Sequence, residues 1–414
     1  MSFSPDLITI LPQHPNFGAM NLRQLFLQHV AQTSDAPLAL EIVKAEGCTL
    51  TGADGRTYLD LIGGISVANV GHRHPRVVEA IKAQADQYLH LMVYGEFVQS
   101  PQVRYAEKLI QHLPPSLNSV YFTNSGAEAV EGAMKLAKRV TGRTEIVAFN
   151  NSYHGSTQGA LSIIGSEYWR NNFRPLLPGI THLDYNSFEQ LQKITGETAC
   201  VIAETVQAEA GIIPPKNGWL TALAQRCRET GALLILDEIQ AGLGRTGRLW
   251  AFEHFNVVPD VLLLGKGLGG GMPLGAFVAD RALMNTLSHQ PVLGHITTFG
   301  GHPVCCAAGL AAFEVLTQEK LWEKAEEKSQ LLAEKLSIKK MNRFGLWMAL
   351  PFSDFDTCKK IIDHCIAEGV LTDWFLFASE ALRISPPLTI SDEEIDRAAT
   401  VINHAVALRG VQEF

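Results

Sequence analysis

An acid and a lysine each follow a short apolar segment in the middle of the chain. The segment 233–236 (Leu-Leu-Ile-Leu) ends at Asp237, and the segment 261–264 (Val-Leu-Leu-Leu) is followed by Gly265 and Lys266. Both segments have the length and the bounding residues of fully buried strands in a parallel sheet. Ligands of open α/β sheets bind outside the carboxyl ends of the strands. The spacing therefore predicts that Asp237 and Lys266 contact one ligand from neighbouring strand ends.

Lys266 has the surroundings of a reactive amine. It directly follows a buried strand, with glycines at positions 265, 267, 269, 270, 271 and 275. Burial disfavours the ammonium form, so we expect its pKa to fall from about 10.4 towards neutrality, as an amine nucleophile requires. The alternative is a buried lysine that forms a structural ion pair with Asp237 or Glu204.

A possible anion site lies between a predicted strand and a predicted helix, at residues 123–129 (Thr-Asn-Ser-Gly-Ala-Glu-Ala). The Ser125 hydroxyl and the backbone N–H groups of Gly126 and Ala127 would bind a phosphate at the positive end of the helix dipole. The alternative is that Ser125 only caps the helix and that Glu128 completes a capping box.

Together, the anion site, the acid and the amine match the chemical requirements of pyridoxal phosphate. This cofactor needs an anion site for its phosphate and a lysine for its aldehyde. It also needs a carboxylate that keeps the ring nitrogen protonated, so that the ring accepts electrons. We therefore expect this cofactor at the strand ends that carry Asp237 and Lys266.

The elements that would position these residues alternate along the chain. Strands are predicted at 119–122, 146–149 and 201–203, and helices at 103–113, 127–140 and 219–230. This alternation favours crossover connections and a mainly parallel sheet. Asp54-Gly55 predicts a hairpin. After residue 307 we expect one long helical stretch (307–336), a strand (345–350) and two helices (358–368 and 392–408).

Three segments resemble the signature of the class III aminotransferases, among them the acetylornithine, ornithine and 4-aminobutyrate aminotransferases. They are 234–247 (Leu-Ile-Leu-Asp-Glu-Ile-Gln-Ala-Gly-Leu-Gly-Arg-Thr-Gly), 259–260 (Pro-Asp) and 265–271 (Gly-Lys-Gly-Leu-Gly-Gly-Gly), and the resemblance extends over residues 38–388. It implies the α/β fold type I: a large doubly wound, mainly parallel sheet domain and a smaller α+β domain built from both chain ends. We expect an N-terminal arm and part of the small domain at 1–70, the cofactor-binding domain at 71–310 and the rest of the small domain at 311–414. The resemblance also implies a homodimer with shared active sites.

The resemblance implies roles for individual residues. Lys266 matches the lysine that binds the cofactor covalently and transfers the proton, and Asp237 matches the partner of the ring nitrogen. Gln240 matches the residue near the ring hydroxyl, and Tyr153 the aromatic residue that stacks on the ring. The complete set of cofactor contacts that the resemblance implies is Ser125, Gly126, Ala127, Tyr153, His154, Glu204, Asp237, Gln240, Lys266 and, across the subunit interface, Thr298.

Four residues are predicted to contact the substrate. Arg383 resembles the arginine that binds the substrate α-carboxylate, and Glu209 resembles the glutamate that pairs with it while an ω-amine reacts. Thr297 and Ser156 complete the set. Ser156 departs from the acetylornithine and ornithine enzymes, which usually have arginine after the His-Gly or Trp-Gly pair, and a serine cannot bind a carboxylate with two hydrogen bonds. Thr205 also departs, since it replaces a proline.

These features imply a pyridoxal-phosphate-dependent aminotransferase that moves an amino group from an ω-amino acid to a 2-oxo acid, with 2-oxoglutarate as the expected acceptor. Ser156 favours an amine–pyruvate or diamine transaminase as the alternative. A remoter alternative is an NAD-dependent oxidoreductase, because residues 242–247 (Gly-Leu-Gly-Arg-Thr-Gly) fit the bare dinucleotide pattern, although no amphipathic helix is predicted to begin at Gly247. A non-catalytic relative would have a damaged site, whereas both Lys266 and Asp237 are present.

Composition excludes several other classes. The 414 residues are 46% hydrophobic and 18% charged, which is typical of a compact globular protein. The net charge is −8 without a basic cluster, so we expect neither a nucleic-acid nor a membrane partner. No apolar run approaches the roughly 20 residues of a membrane span. The seven scattered cysteines lack metal-site spacing and, with no evident signal peptide, predict free thiols, no metal site and a cytoplasmic location.

Overall fold

The structure is a computed structural model of one chain, and it describes residues 21–93 and 95–408. The α-helices in these residues are α1 (Leu22–His29), α2 (Gly63–Ser66), α3 (Pro75–Gln87), α4 (Ser100–Ile110), α5 (Gly126–Thr141), α6 (Gln158–Ser162), α7 (Glu167–Arg170), α8 (Trp219–Thr230), α9 (Arg281–Met284), α10 (Pro303–Gln318), α11 (Ala325–Lys335), α12 (Phe355–Ala367) and α13 (Asp392–Ala407). The strands are β1 (Ile42–Glu46), β2 (Thr49–Gly52), β3 (Thr57–Asp60), β4 (Ser119–Thr123), β5 (Glu145–Phe149), β6 (Ile180–Leu183), β7 (Thr198–Glu204), β8 (Leu233–Asp237), β9 (Val261–Leu264), β10 (Gly275–Ala279), β11 (Asn342–Arg343), β12 (Met348–Pro351), β13 (Val370–Leu371), β14 (Asp373–Trp374) and β15 (Ala381–Ile384).

A seven-stranded sheet is the centre of the large domain. Its strand order is β4-β10-β9-β8-β7-β5-β6. The four strand pairs from β9 to β6 are parallel, and β10 runs antiparallel to both of its neighbours. The prediction of a mainly parallel sheet is therefore confirmed, with one antiparallel strand that the sequence did not predict.

The central strands are apolar throughout because both faces of the sheet are covered. In β8, Leu234 and Leu236 pack in one hydrophobic cluster, while Ile235 packs in a second cluster on the opposite face. The second cluster includes the apolar stripe of α5, with Val130 and Met134. Because successive side chains of a strand point to opposite faces, an uninterrupted apolar run marks a strand buried on both sides.

The carboxyl ends of β7, β8 and β9 bring the predicted reactive residues to one edge of the sheet. Glu204 and Asp237 are paired neighbours at the ends of β7 and β8. Lys266 follows β9 and has a backbone φ of 47°. A non-glycine residue in this left-handed region is strained, and such strain is concentrated at functional sites.

Two small sheets complete the fold. The strand order of one is β1-β2-β3-β13, so that N-terminal strands share a sheet with a strand from the C-terminal part. The predicted hairpin at Asp54-Gly55 is confirmed, since β2 and β3 pair antiparallel around it. The other sheet has the order β11-β12-β15-β14, and it places Asp373 of β14 directly opposite Arg383 of β15.

Two of the sequence predictions differ from the structure. The single helical stretch predicted at 307–336 is wrong: α10 ends at Gln318, and Lys320, with a φ of 47°, redirects the chain so that α11 packs against α13. Residues 242–247 form turns, and the next helical segment is a short 3-10 helix (Ala251–Phe255), so the dinucleotide interpretation of this loop is also wrong. The division at residues 70 and 310 stays a prediction, and residue 310 lies within α10. Part of the predicted arm, residues 1–20, lies outside the described residues.

Candidate active site

Lys266 lies in a cavity of about 240 Å³ at the ends of the central strands. Among the described residues, its Nζ atom forms neither a hydrogen bond nor an ion pair, so the structural pairing with Asp237 or Glu204 is not formed. Burial lowers the pKa of Lys266, and the carboxylates of Asp237, Glu209 and Glu204 only partly oppose this effect. An amine with a lowered pKa has the unprotonated population that a nucleophile needs.

Asp237 is fixed by two hydrogen bonds below the cavity. Its Oδ2 lies 2.7 Å from Nδ1 of His154, and both side chains are buried. Its Oδ1 accepts a hydrogen bond of 2.9 Å from the N–H of Ile239. A buried carboxylate held in this way is positioned to form a charge-assisted hydrogen bond with a protonated ring nitrogen. His154, which also lines the cavity, thus holds the Asp237 carboxylate, a contact that the sequence did not reveal.

The predicted anion site lies at the N-terminus of α5. The amides of Gly126 and Ala127 belong to the first helical turn, where backbone N–H groups have no partner within the helix. Both residues line the cavity. Ser125 caps α5 by accepting a hydrogen bond of 3.2 Å from the N–H of Glu128. The predicted capping box is not formed, because the Glu128 carboxylate binds the N–H and the side-chain amide of Asn124 instead.

The segment 153–156 forms one wall of the cavity. The N–H of Tyr153 donates to Oε1 of Glu204 at 3.0 Å, and the N–H of Ala208 donates to Oε2 at 2.8 Å. Glu204 lines the cavity, but both of its oxygens accept backbone hydrogen bonds, one from this wall and one from Ala208, and burial raises its pKa to about 7. The Tyr153 hydroxyl lies 3.2 Å from the Ser156 hydroxyl, so this edge of the cavity is polar and uncharged.

Gly155 allows the wall to approach the anion site closely. A Cβ atom on Gly155 would lie 2.6 Å from Cβ of Ala127, and Gly155 has a φ of 127°. Only glycine satisfies both conditions.

The polar groups of the cavity fit pyridoxal phosphate. The side-chain nitrogen of Gln240 is buried at the cavity and has no hydrogen-bond partner among the described residues. A buried donor without an acceptor is costly, and the ring hydroxyl of the cofactor would satisfy it. The free amine of Lys266, the fixed carboxylate of Asp237 and the amides of Gly126 and Ala127 supply the other three requirements.

Arg383 and Glu209 form a buried ion pair next to the cavity. The guanidinium donates from Nη1 to Oε1 at 2.9 Å and from Nη2 to Oε2 at 2.8 Å. Oε2 also accepts a hydrogen bond of 3.0 Å from the N–H of Leu376. Burial alone would raise the pKa of Glu209, but Arg383 lowers it below its usual value. The structure thus brings together two residues that are 174 positions apart in the sequence.

The two predicted threonines lie outside this cavity in the described chain. The Thr297 hydroxyl accepts a hydrogen bond of 2.9 Å from the side chain of Asn124, beside the anion site. Thr298 is exposed. A contact between Thr298 and the cofactor of a partner subunit therefore remains a prediction, as does a substrate contact of Thr297.

Sequence reasoning missed two neighbours of Arg383. Oδ1 of Asp373 lies 2.9 Å from Nε of Arg383, and Cζ of Arg383 lies 4.4 Å from the centre of the Phe375 ring. The available signal was the single charged residue in each of the two short segments 373–374 and 381–384, which pair as β14 and β15.

Comparisons with known proteins agree with this geometry. A family model described as aminotransferase class-III matches residues 30–406. The acetylornithine aminotransferase of Methanopyrus kandleri is 38% identical over 400 residues, which are 94% of this chain and 100% of that protein.

Two solved structures are similar to this fold. The ornithine aminotransferase of Toxoplasma gondii has a TM-score of 0.86 and 32% identity, with 94% of both chains covered. An amine transaminase from an uncultivated Pseudomonas species, in its form with bound pyridoxal phosphate, has a TM-score of 0.84 and 28% identity, with 92% of this chain and 98% of that chain covered.

Proposed function

The chain belongs to the class III aminotransferases, which use pyridoxal phosphate, and we propose that it moves the terminal amino group of an ω-amino acid, of the acetylornithine or ornithine kind, to a 2-oxo acid. The observation that carries the donor class is the closed ion pair between Glu209 and Arg383. While this pair is closed, Arg383 binds no carboxylate next to the reacting carbon. A donor whose reacting carbon carries hydrogen atoms and the rest of the donor molecule, but no carboxylate, therefore fits the closed site.

The cofactor, when bound, supplies an aldehyde that takes up the amino group and a ring that accepts the electron pair of the broken C–H bond. The side chain of Lys266 would hold the cofactor and, as an amine of lowered pKa, would carry the proton at the reacting carbon. Asp237 would keep the proton on the ring nitrogen, and His154 holds Asp237 in place. Gln240 would orient the ring hydroxyl, and the first turn of α5 would hold the phosphate.

The second substrate requires that the ion pair between Glu209 and Arg383, which we call the gate, opens. A 2-oxo acid has its carboxylate next to the reacting carbon, where Arg383 is the available guanidinium. We propose that the Glu209 side chain moves away in this half-reaction and that the 2-oxo acid carboxylate takes its place. The exchange is favourable because a carboxylate again accepts hydrogen bonds from Nη1 and Nη2 of Arg383, which form a fork, and from the N–H of Leu376.

The acceptor we propose first is 2-oxoglutarate. One observation favours pyruvate instead: among the described cavity-lining residues, Lys266 is the only lysine or arginine, and the Tyr153–Ser156 edge is uncharged. A second carboxylate, such as that of 2-oxoglutarate, has no guanidinium there. The second candidate function is therefore an amine–pyruvate or diamine transaminase.

A panel of donors and acceptors separates these candidates. Purified enzyme with bound cofactor would be assayed with acetylornithine, ornithine, 4-aminobutyrate, putrescine and 1-phenylethylamine, each with 2-oxoglutarate and with pyruvate. Transfer from the ω-amino acids supports the proposal. Transfer from the simple amines alone, with pyruvate alone, supports the second candidate. Absence of transfer from every donor would contradict both.

We also propose a homodimer with shared active sites. Exposed apolar side chains that include Phe97, Val292 and Ile296 surround a surface depression of about 570 Å³, close in sequence to the exposed Thr298. Large exposed apolar patches are typical of protein interfaces. Light scattering should give twice the mass of the chain, and a mass equal to one chain would contradict the dimer.

We propose that the protein works in the cytoplasm. All seven cysteines are free thiols, as expected in a reducing compartment. No helix within residues 21–93 and 95–408 is long and apolar enough to cross a membrane. Fractionation of the source cells would test the location, and recovery of the enzyme outside the cytoplasmic fraction would contradict it.

A further inference from the structure

The guanidinium of Arg383 is held from several sides, and only one of these contacts blocks a substrate. Glu209 occupies the fork of Nη1 and Nη2. Asp373 contacts the opposite edge, at Nε, with a distance of 2.9 Å. The Trp374 carbonyl accepts a further hydrogen bond of 3.0 Å from Nη2, and the Phe375 ring lies against the guanidinium face.

The two carboxylates differ in how they are anchored. Asp373 and Arg383 lie directly opposite each other in the antiparallel strands β14 and β15. The adjacent Thr372 strengthens this pairing, since its hydroxyl donates to the Arg383 carbonyl at 2.5 Å. Glu209 instead lies in a turn that is closed by the pairing of Gln207 and Ile213. Because Asp373 and Arg383 are direct cross-strand neighbours, the sheet keeps their Cβ atoms close together, whereas the backbone of Glu209 belongs to a turn outside this sheet.

Departure of Glu209 would leave Nη1 of Arg383 and the N–H of Leu376 without an acceptor, and Nη2 would keep only the Trp374 carbonyl. A buried guanidinium without any counter-ion is strongly unfavourable. Asp373 is the one other carboxylate that contacts Arg383 in the described part of the chain. It therefore keeps a negative charge beside the guanidinium, as an ion pair without a hydrogen bond, during the interval when neither Glu209 nor the 2-oxo acid occupies Nη1 and Nη2.

We propose that Asp373 is a positioning residue, which holds Arg383 ready for the carboxylate of the 2-oxo acid when Glu209 has moved away. The inference rests on the gate described under the proposed function. It assigns the two acids different roles. Glu209 controls whether Arg383 is accessible, and Asp373 controls the affinity of Arg383 for the 2-oxo acid carboxylate when the gate is open. The affinity for the 2-oxo acid should then depend on Asp373, whereas the reaction of the ω-amino donor, which takes place with the gate closed, should not.

The test is the variant Asp373→Asn, which preserves the shape of the side chain and removes its charge. Single-turnover measurements on the holoenzyme follow each half-reaction separately by the visible absorption of the cofactor. We expect the 2-oxo acid concentration for half-maximal rate to rise about tenfold or more, while that of the ω-amino donor changes by less than about twofold. The measurement would use 2-oxoglutarate and pyruvate as acceptors, and ornithine as the donor.

Two further variants act as controls. Asp373→Glu retains the charge and should keep the acceptor value within about threefold of the wild type. Glu326→Gln removes the carboxylate from a different arginine, Arg343 on β11, with which Glu326 forms an ion pair of 2.7 Å away from the gate. It should change neither half-reaction. An effect of Glu326→Gln as large as that of Asp373→Asn would show that loss of any ion pair in this sheet is sufficient, and would overturn the proposal.

The remaining outcomes also decide the question. Equal losses in both half-reactions of Asp373→Asn would indicate a structural role and overturn the inference, as would an unchanged acceptor value. If Asp373→Asn does not fold, the folded variant Asp373→Glu decides the question. An equal rise in its half-saturating concentrations for the 2-oxo acid and for the ω-amino donor would also overturn the inference. A wild-type enzyme that transfers no amino group from any donor would instead refute the proposed function itself.

Discussion

Glu209→Gln should open the gate, and the size of the effect follows from the contacts of this side chain. Its carboxylate accepts three hydrogen bonds, two from Arg383 and one from the N–H of Leu376, and the two charged side chains are 5% and 3% exposed. If the closed pair is worth about 2 kcal/mol, at the lower end for hydrogen bonds to charged groups, the closed state outweighs the open one about 30-fold. The apparent affinity for a 2-oxo acid is reduced by the same factor.

Glutamine keeps the size of the side chain, but it removes the charge and replaces one acceptor oxygen by an NH2 group that faces the donors of Arg383. We therefore expect the half-saturating concentration of the 2-oxo acid to fall about tenfold to 30-fold. Donors with a carboxylate on the reacting carbon, such as L-alanine, should also react faster, because Arg383 is accessible throughout. Single-turnover kinetics with the holoenzyme would measure both effects. An unchanged or weakened affinity for the 2-oxo acid would refute the gate. Normal donor kinetics would show that the site is intact, so a lower melting temperature would not explain that result.

Further predictions concern the cavity and its support. Lys266→Ala should abolish the visible absorption of the lysine-bound cofactor and transamination, as checked by spectroscopy after reconstitution. Asp237→Asn should weaken cofactor binding about tenfold to 100-fold, measured by fluorescence titration, because a charge-assisted hydrogen bond is lost. Ser156→Arg should lower the KM for 2-oxoglutarate relative to that for pyruvate, by adding a guanidinium to the uncharged edge. Burial raises the pKa of Glu238 to about 7, so the folded protein retains a proton that the unfolded chain releases near pH 4.5, and the free energy of unfolding should fall as the pH rises through this window. Glu238→Gln should flatten this dependence in urea titrations and cost about 1–3 kcal/mol, because Glu238 accepts hydrogen bonds from the N–H groups of Ala251 and Phe252.

The reactive strand ends could be predicted from the sequence because their signal is local. An apolar run that stops at Asp237, and another that stops before Lys266, identify two buried strands without any knowledge of distant residues. The strand β10 was missed because it follows a glycine-rich segment and reaches the sheet by pairing antiparallel between β4 and β9.

The gate could be predicted only in part. Glu209 and Arg383 were identified through a family resemblance, whereas the local signal for Asp373 is only that it is the single charged residue of a short strand. Its role depends on a cross-strand pairing with Arg383, and such a register is fixed by the tertiary structure. The role of His154 was hidden for a similar reason, since its partner Asp237 is 83 positions away.

The central claim is that Lys266 binds the cofactor while Asp237 contacts the opposite side of its ring. Reduction of the holoenzyme with borohydride, followed by proteolysis and mass spectrometry, tests this claim most directly. We predict that the reduced cofactor is attached to the peptide that contains Lys266, and not to Lys328, a second lysine whose pKa is lowered by burial. Attachment to Lys328 or to any other lysine, or no attachment to a protein that has bound the cofactor, would contradict the account.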